Sequence, residues 1–511
     1  MRTALLNVLI MAIMAPVMAT EPHESAELAA QREKMKQRQR RLVYNNDSGD
    51  IYPAEANTVE GFYAQRMNAT IGTQVDSVFY CTGATVMFSH LAKVGEAYGQ
   101  YCGEMPIGHN IQTLKDTGHD VLDLVIEFCR NHDKEIFFTH RINDIHDTLD
   151  GYVFELSAWK RKHPQYWICE KGASDDEEDP KFWWSSLNFD KQPVRDYLIA
   201  IVEDVCSRYD IDGYDVDYFR SPMFFTPTLE YQPVTQAQLD LLTDFQRKIR
   251  TAAYKYGNER GRPILVSVRV PMTVKACRHV GIDLQQWLEE DLFDILCTGG
   301  GYVPYTMPTR ELVALGHKYQ KPVYPMISAS GLRDHDGVYR DLHAWRAAAA
   351  NVWYNDADGV LLFNTFPREK NHPHFTELGN PDTLAKLNKL YAIDNKATLE
   401  GDLRQGIAQS HILPVELDSG GKPRSVILPI GEDVSKCRGQ YLDFMLSNDA
   451  GVEIRLNGHL LKQVEMTPQD RRRHHPTGNQ FRLGDNAIEF RVIKPAAEPT
   501  QVIAVELHVN H

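Results

Sequence analysis

The sequence predicts an α/β fold, a (β/α)8 TIM barrel, followed by a C-terminal all-β sandwich domain. Three observations carry that prediction. Short apolar runs recur eight times between residues 41 and 364. Segments with helical periodicity separate them, and such alternation favours a closed parallel barrel. After residue 395 the texture changes to short alternating runs split by Gly, Asn and Asp, as in antiparallel sheets.

Taken in order, residues 1–19 read as a secretory signal: Arg2, an apolar run to Met18, and Val17-Met18-Ala19 as a small-x-small cleavage site. A secreted or periplasmic protein is expected. Residues 20–40 are polar and form a lead-in helix or loose segment. Strands are expected at 41–46, 76–81, 135–141, 211–218, 264–270, 293–298, 322–328 and 358–364, with helices near 112–133, 193–209, 236–256, 282–290, 308–320 and 339–354 and a closing helix at 381–393. This assigns 20–394 to the barrel and 397–511 to the sandwich.

Residues 145–192 are too long for an ordinary βα connection. They hold Trp159, Trp167, Trp183 and Trp184, and exposed rings on the active face of a barrel suit stacking on sugars, Trp184 being the representative candidate. The alternative is that the rings pin the loop down. The acidic run Ser174–Pro180 reads as a solvated loop tip.

A formal net charge of −14 argues against nucleic acid or an anionic membrane as partner. The eight cysteines show no CxxC spacing, and Cys81 with Cys102 is one conceivable disulfide. No cofactor and no metal are expected.

The densest chemistry lies in PVRDYLIAIVEDVCSRYDIDGYDVDYFRSP, residues 193–222. An amphipathic helix leads through a turn into a strand on which Gly213, Asp215 and Asp217 share one face. Parallel strands are normally apolar on both faces, so two acids on one face need a reason. Glycoside hydrolysis uses two carboxyl groups with separated pKa values, and like charges two residues apart provide one way to separate them. Asp217 is the leading catalytic candidate and Asp215 its neighbour. A purely structural alternative pairs both acids with Arg141, Arg269 or Arg220.

This stretch, with its Tyr-Asp-x-Asp-Gly turn and Asp-Tyr-x-Arg-x-Pro strand end, resembles the glycoside-hydrolase-like TIM-barrel proteins described as family-10-like glycosyl hydrolases. The resemblance implies a secreted barrel acting on glycans, with Asp217 at the presumed catalytic position. Asp-Gly-x-Asp-x-Asp is also similar to the chitinase barrel motif, but Phe219 stands where that motif has its glutamate. RLGDNAIEFRV resembles a strand of the small accessory sandwiches of carbohydrate enzymes.

The third strand ends HRINDIHD. Asp144 is the first candidate for a partner acid, with Asp334 in the SGLRDHD loop the second. His140, Arg141, Asn143, His146, Arg220, Arg269, Asn364 and Asp47 are candidates for holding substrate. Their Arg and His content favours a sulfated or uronic, algal-type polysaccharide or oligosaccharide. Two rival functions stand beside glycoside hydrolysis: a non-catalytic glycan-binding protein, and a metal-dependent hydrolase or deacetylase using His140, His146 and Asp144.

Overall fold

A computed structural model describes residues 24–98, 106–176, 179–299, 308–328, 341–393, 413–462 and 465–511. Eight parallel strands close into a barrel: β1 (Leu42–Asn46), β2 (Val75–Cys81), β3 (Glu135–Arg141), β4 (Gly213–Asp217), β5 (Leu265–Val270), β6 (Ile295–Thr298), β7 (Val323–Ile327) and β8 (Val360–Leu362). Each pairs with its neighbours in sequence, and β8 pairs with β1. All eight expected strands are present with ends within two residues of expectation, because strands covered on both faces are continuous apolar runs.

The inward face is layered. Val43, Phe79, Phe137, Leu265, Ile295, Tyr324, Met326 and Leu361 fill the interior. Gly213 is required there: a Cβ at this position would fall on the Phe137 ring. Gly213→Ala is therefore expected to destabilise the fold by about 1–3 kcal/mol, the usual cost of overpacking, read by denaturant unfolding. Above this layer, Thr139, Asp215 and Ser267 are in register, and above them Arg141, Asp217 and Arg269.

The barrel's N-terminal end is sealed by the helix Ala26–Lys36, which begins on a Ser25 cap. Arg40, fully buried just beyond it, forks onto Glu135 at 2.6 and 2.9 Å. Arg32 reaches Asp294 at 2.5 Å, and Asp294 also binds Arg250 at 2.8 Å.

The helices depart from expectation at identifiable residues. The segment near 112–133 is two helices, Pro106–Asp116 and Val121–Asn131, because Gly118 turns left-handed (φ 87°) and Asp120 caps the second. The expected closing helix at 381–393 is not formed. A single turn, Pro381–Leu384, gives way to a strand, Lys389–Ala392, which pairs antiparallel with Gln501–Asn510. Here sheet pairing overrides the local helical pattern.

The C-terminal region is two antiparallel sheets, one of six strands and one of four among the described residues. They share one core, with Phe444 edge-on to Phe490 at 5.4 Å. Ala347, from the barrel helix Leu342–Tyr354, is part of that core. Among the described residues no helix is long and apolar enough to cross a membrane. Residues 1–23, Cys102 and Asp334 lie outside the described residues.

Candidate active site

A cavity of about 290 Å³ opens at the C-terminal ends of β1, β2 and β3, where such barrels carry their chemistry. Asp47 and Ser48 enter it from the turn after β1, Gly83, Ala84 and Tyr98 from the connection after β2, and Arg141 from the end of β3. The long loop after β3 supplies Asp144, His146, Tyr152 and Glu155. Of the residues expected from sequence, the structure brings Asp47, Arg141, Asp144 and His146 together here.

Asp144 is almost fully buried and richly contacted. The His146 backbone amide donates to its Oδ1 at 3.0 Å and the ring Nδ1 meets the same oxygen at 2.5 Å. On the other side of the ring, His146 Nε2 lies 2.7 Å from Arg220 Nη2. A guanidinium can only donate, so Nε2 accepts and the proton sits on Nδ1, directed at Asp144. Arg141 Nη1 donates to Asp144 Oδ2 at 3.3 Å, and Arg220 stands 3.8 Å from it. Burial alone would raise the Asp144 pKa, but His146, Arg141 and Arg220 outweigh it and hold the carboxyl well below its ordinary value.

Glu155 sits opposite in electrostatic character. It is 7 % exposed, on the short helical segment Asp150–Glu155 between apolar Phe154 and Leu156. Its charged neighbours in the site are Asp144, Asp147 and Arg141, and Tyr98 donates to Oε1 at 3.4 Å. Burial, then repulsion from Asp144 and Asp147, pushes its pKa up to about 8. Asp144, His146 and Glu155 each place a polar atom within 4.8 Å of the other two. The site therefore joins one carboxylate held ionised to one carboxyl held protonated.

Sequence reasoning missed Glu155 and Tyr98. Glu155 belongs to no strand end and no periodic run. Its signal is a lone acid between apolar residues in an overlong connection.

The remaining candidates lie elsewhere. Asp217 is 0 % exposed and does not line the cavity. Arg269 donates from Nε to its Oδ1 at 2.9 Å and from Nη2 to its Oδ2, while the amides of Phe219 and Arg220 donate to Oδ1. Of the alternatives read from sequence, the structure shows the barrel-interior pairing of Asp217 with Arg269. Asp215, one layer deeper, accepts from Thr139 at 3.0 Å, and burial, with the Asp217 charge beside it, raises its pKa to about 6.

His140 faces outward from β3, between the Thr85 carbonyl and the Tyr214 hydroxyl at 2.7 Å each, and so does not join His146 and Asp144. Asn143 ties the loop down, donating to the Met223 carbonyl at 2.8 Å and accepting from the Leu187 amide at 2.7 Å. Asn364 follows β8 and does not line the cavity. Trp184 is only 6 % exposed and packs against Trp167, and Trp159 stacks on Tyr197 at 4.3 Å. These rings pin the long loop. An exposed ring available to a ligand is Tyr152, 42 % exposed at the rim of the cavity.

The spacing of Asp144, His146 and Glu155 would also admit a cation. Two guanidinium groups beside Asp144 oppose one, and that favours proton chemistry over metal chemistry.

No family model matches this chain, and no curated protein matches it. Solved structures similar to it include the glycoside hydrolase domain of PgaB (BpsB) from Bordetella bronchiseptica, at 10 % identity and TM-score 0.38 over 68 % of this chain and 96 % of that one. An α-amylase from Geobacillus thermoleovorans, complexed with acarbose, is 10 % identical at TM-score 0.37 over 93 % of this chain and 100 % of that one. α-L-Fucosidase isoenzyme 2 from Paenibacillus thiaminolyticus is 14 % identical at TM-score 0.35 over 68 % of this chain. This chain spans 48 % of that enzyme. The assignment of the barrel rests on its own strand register rather than on these likenesses.

Proposed function

We propose that the protein is a secreted glycoside hydrolase acting on a polysaccharide or oligosaccharide that bears acidic groups. The observation that carries this reading is the Asp144–Glu155 pair: two carboxyl groups facing one cavity, with environments that drive their pKa values apart. Glu155, protonated at neutral pH, would donate its proton to the leaving oxygen. Asp144, ionised and held by His146, would take the anomeric carbon. The nearest polar atoms of the pair lie within 4.8 Å, so both groups can reach one glycosidic bond. Tyr152 offers a ring face for the sugar at the rim. The apparent signal peptide supports export.

The test is release of reducing ends from a panel of neutral, uronic and sulfated glycans by wild type, Glu155→Gln and Asp144→Asn, with the product anomer followed by NMR. Cleavage with the Asp144 carboxylate as nucleophile, and therefore with retention, lost in both variants and unaffected by chelator, is the result this assignment of roles requires. Inversion would demand a water between the two groups. Loss of turnover on chelation would move the reading to the metal-dependent class, and undiminished cleavage in both variants would place the chemistry elsewhere on the barrel.

A further inference from the structure

We propose that Arg141 reads a carboxylate on the sugar ring held in the mouth cavity, so that the substrate is a uronic acid glycan; this inference rests on the glycosidase reading above.

Arg141 stands at the top inward layer of the barrel, in register with Asp217. Asp217 has both oxygens occupied by Arg269, which leaves Arg141 without an acid inside the barrel. The contrast with the other interior arginines is direct. Arg40 forks onto Glu135 and Arg269 onto Asp217, each with two hydrogen bonds to one carboxylate. Arg141 is buried too, at 8 % exposed against 0 % for Arg40 and 1 % for Arg269, yet among the described residues its side chain makes one hydrogen bond, the 3.3 Å contact to Asp144. Its other N–H groups are not among the sealed, unpartnered atoms of the interior, and the residue lines the cavity, so they open into it.

Charged groups of both signs surround the cavity. Arg66, Arg141 and Arg220 face Asp47 and Asp144, with Asp47 held by Arg66 at 2.5 Å and Asp144 shared by His146, Arg141 and Arg220. Asp147 is balanced by Lys160 at 2.5 Å, and Asp217 by Arg269. Arg66 also faces Asp50, so it is the open N–H donors of Arg141, and not a surplus of charge, that offer an anion its place. A planar guanidinium with free donors matches a planar carboxylate in a two-point contact. Arg141 also touches Asp144, so a carboxylate bound there belongs to the sugar unit at the reacting pair and not to a distant one.

The experiment uses the full chain carrying Glu155→Gln, so that binding is read without turnover. Tetramers of galacturonate, glucuronate and mannuronate are titrated calorimetrically against their carboxyl-reduced counterparts, which keep the sugar backbone and lose the charge, and against a sulfated galactan tetramer. One of the uronates is expected to bind at least about tenfold more tightly than its reduced form, in line with a hydrogen-bonded charge contact. Adding Arg141→Met should bring that ratio toward one, with Arg141→Lys between. Equal binding of acidic and reduced sugars, no binding of any uronate, or preference for the sulfated tetramer overturns the inference.

The wild-type panel separates the two readings. Cleavage confined to neutral glycans and abolished in Glu155→Gln removes the uronate and keeps the glycosidase. Selective uronate binding without any cleavage keeps the recognition by Arg141 and removes the glycosidase.

Discussion

Glu155→Gln is expected to lower turnover on a natural glycan by about 10²–10⁴-fold, the range over which a positioned general acid contributes. The glutamine keeps the shape and the Tyr98 contact but has no proton to give. The loss should depend on the leaving group. A glycosyl fluoride or dinitrophenyl glycoside departs without protonation, so the variant should recover most of its rate on such substrates, which a merely structural role for Glu155 would not produce. The wild-type pH profile follows from the same pair. Activity requires Glu155 protonated, so it declines as pH rises through about 8. It also requires Asp144 ionised, and because the Asp144 pKa is depressed, the acid limb falls below the ordinary carboxylate range. In the variant the alkaline limb near pH 8 should vanish. A limb that stays in place in Glu155→Gln assigns that proton to another group.

Stability carries a linked signature. The folded-state pKa of Glu155 lies above its ordinary 4.5, so its contribution is fully present below that value and is lost as pH climbs through about 8. Glu155→Gln removes this loss. The variant should therefore unfold at higher denaturant than wild type in alkaline buffer while being far poorer in turnover, the usual trade between an active site and stability.

Asp217→Asn is expected to act on the fold. It strips the charge partner from Arg269, a guanidinium almost wholly out of water, and breaking such a buried pair costs about 3–5 kcal/mol. Denaturant unfolding reads the effect directly, and replacing Arg269 by Met alongside it should recover part of the loss, since the orphaned charge is then gone. A variant of unchanged stability that has lost only its turnover would return Asp217 to the chemistry.

Legibility in the sequence followed periodicity. The eight barrel strands were readable because each is a short apolar run buried on both faces, and the sandwich because its strands alternate. Asp144, His146, Arg141 and Asp47 were readable as polar residues placed just where apolar strands end. The partner of Asp217 was narrowed to Arg141, Arg269 or Arg220 but not chosen among them: the Asp217–Arg269 contact depends on the register of β4 against β5 across 52 residues, which no local pattern encodes. Glu155 lies where the chain has no period at all, and its altered proton affinity comes from burial and then from Asp144 and Asp147, an environment that exists only after folding. Trp184 and Trp159 carried a misleading signal, since a ring suited to a sugar is equally suited to a neighbouring ring.

The strand Lys389–Ala392 has a consequence for how the chain is made. It leaves the barrel and at once becomes part of the second domain's larger sheet, yet its pairing partner is Gln501–Asn510. During synthesis the barrel strands are complete while this short strand still waits, unpaired, for more than a hundred residues to emerge from the ribosome. The barrel helix Leu342–Tyr354 shares that wait, because Ala347 packs into the sandwich core. A cut placed after the last barrel strand would thus leave an open edge and a bare apolar face, which are the features that draw nascent chains into aggregates or onto chaperones. The two domains are two folding units with a single completion point.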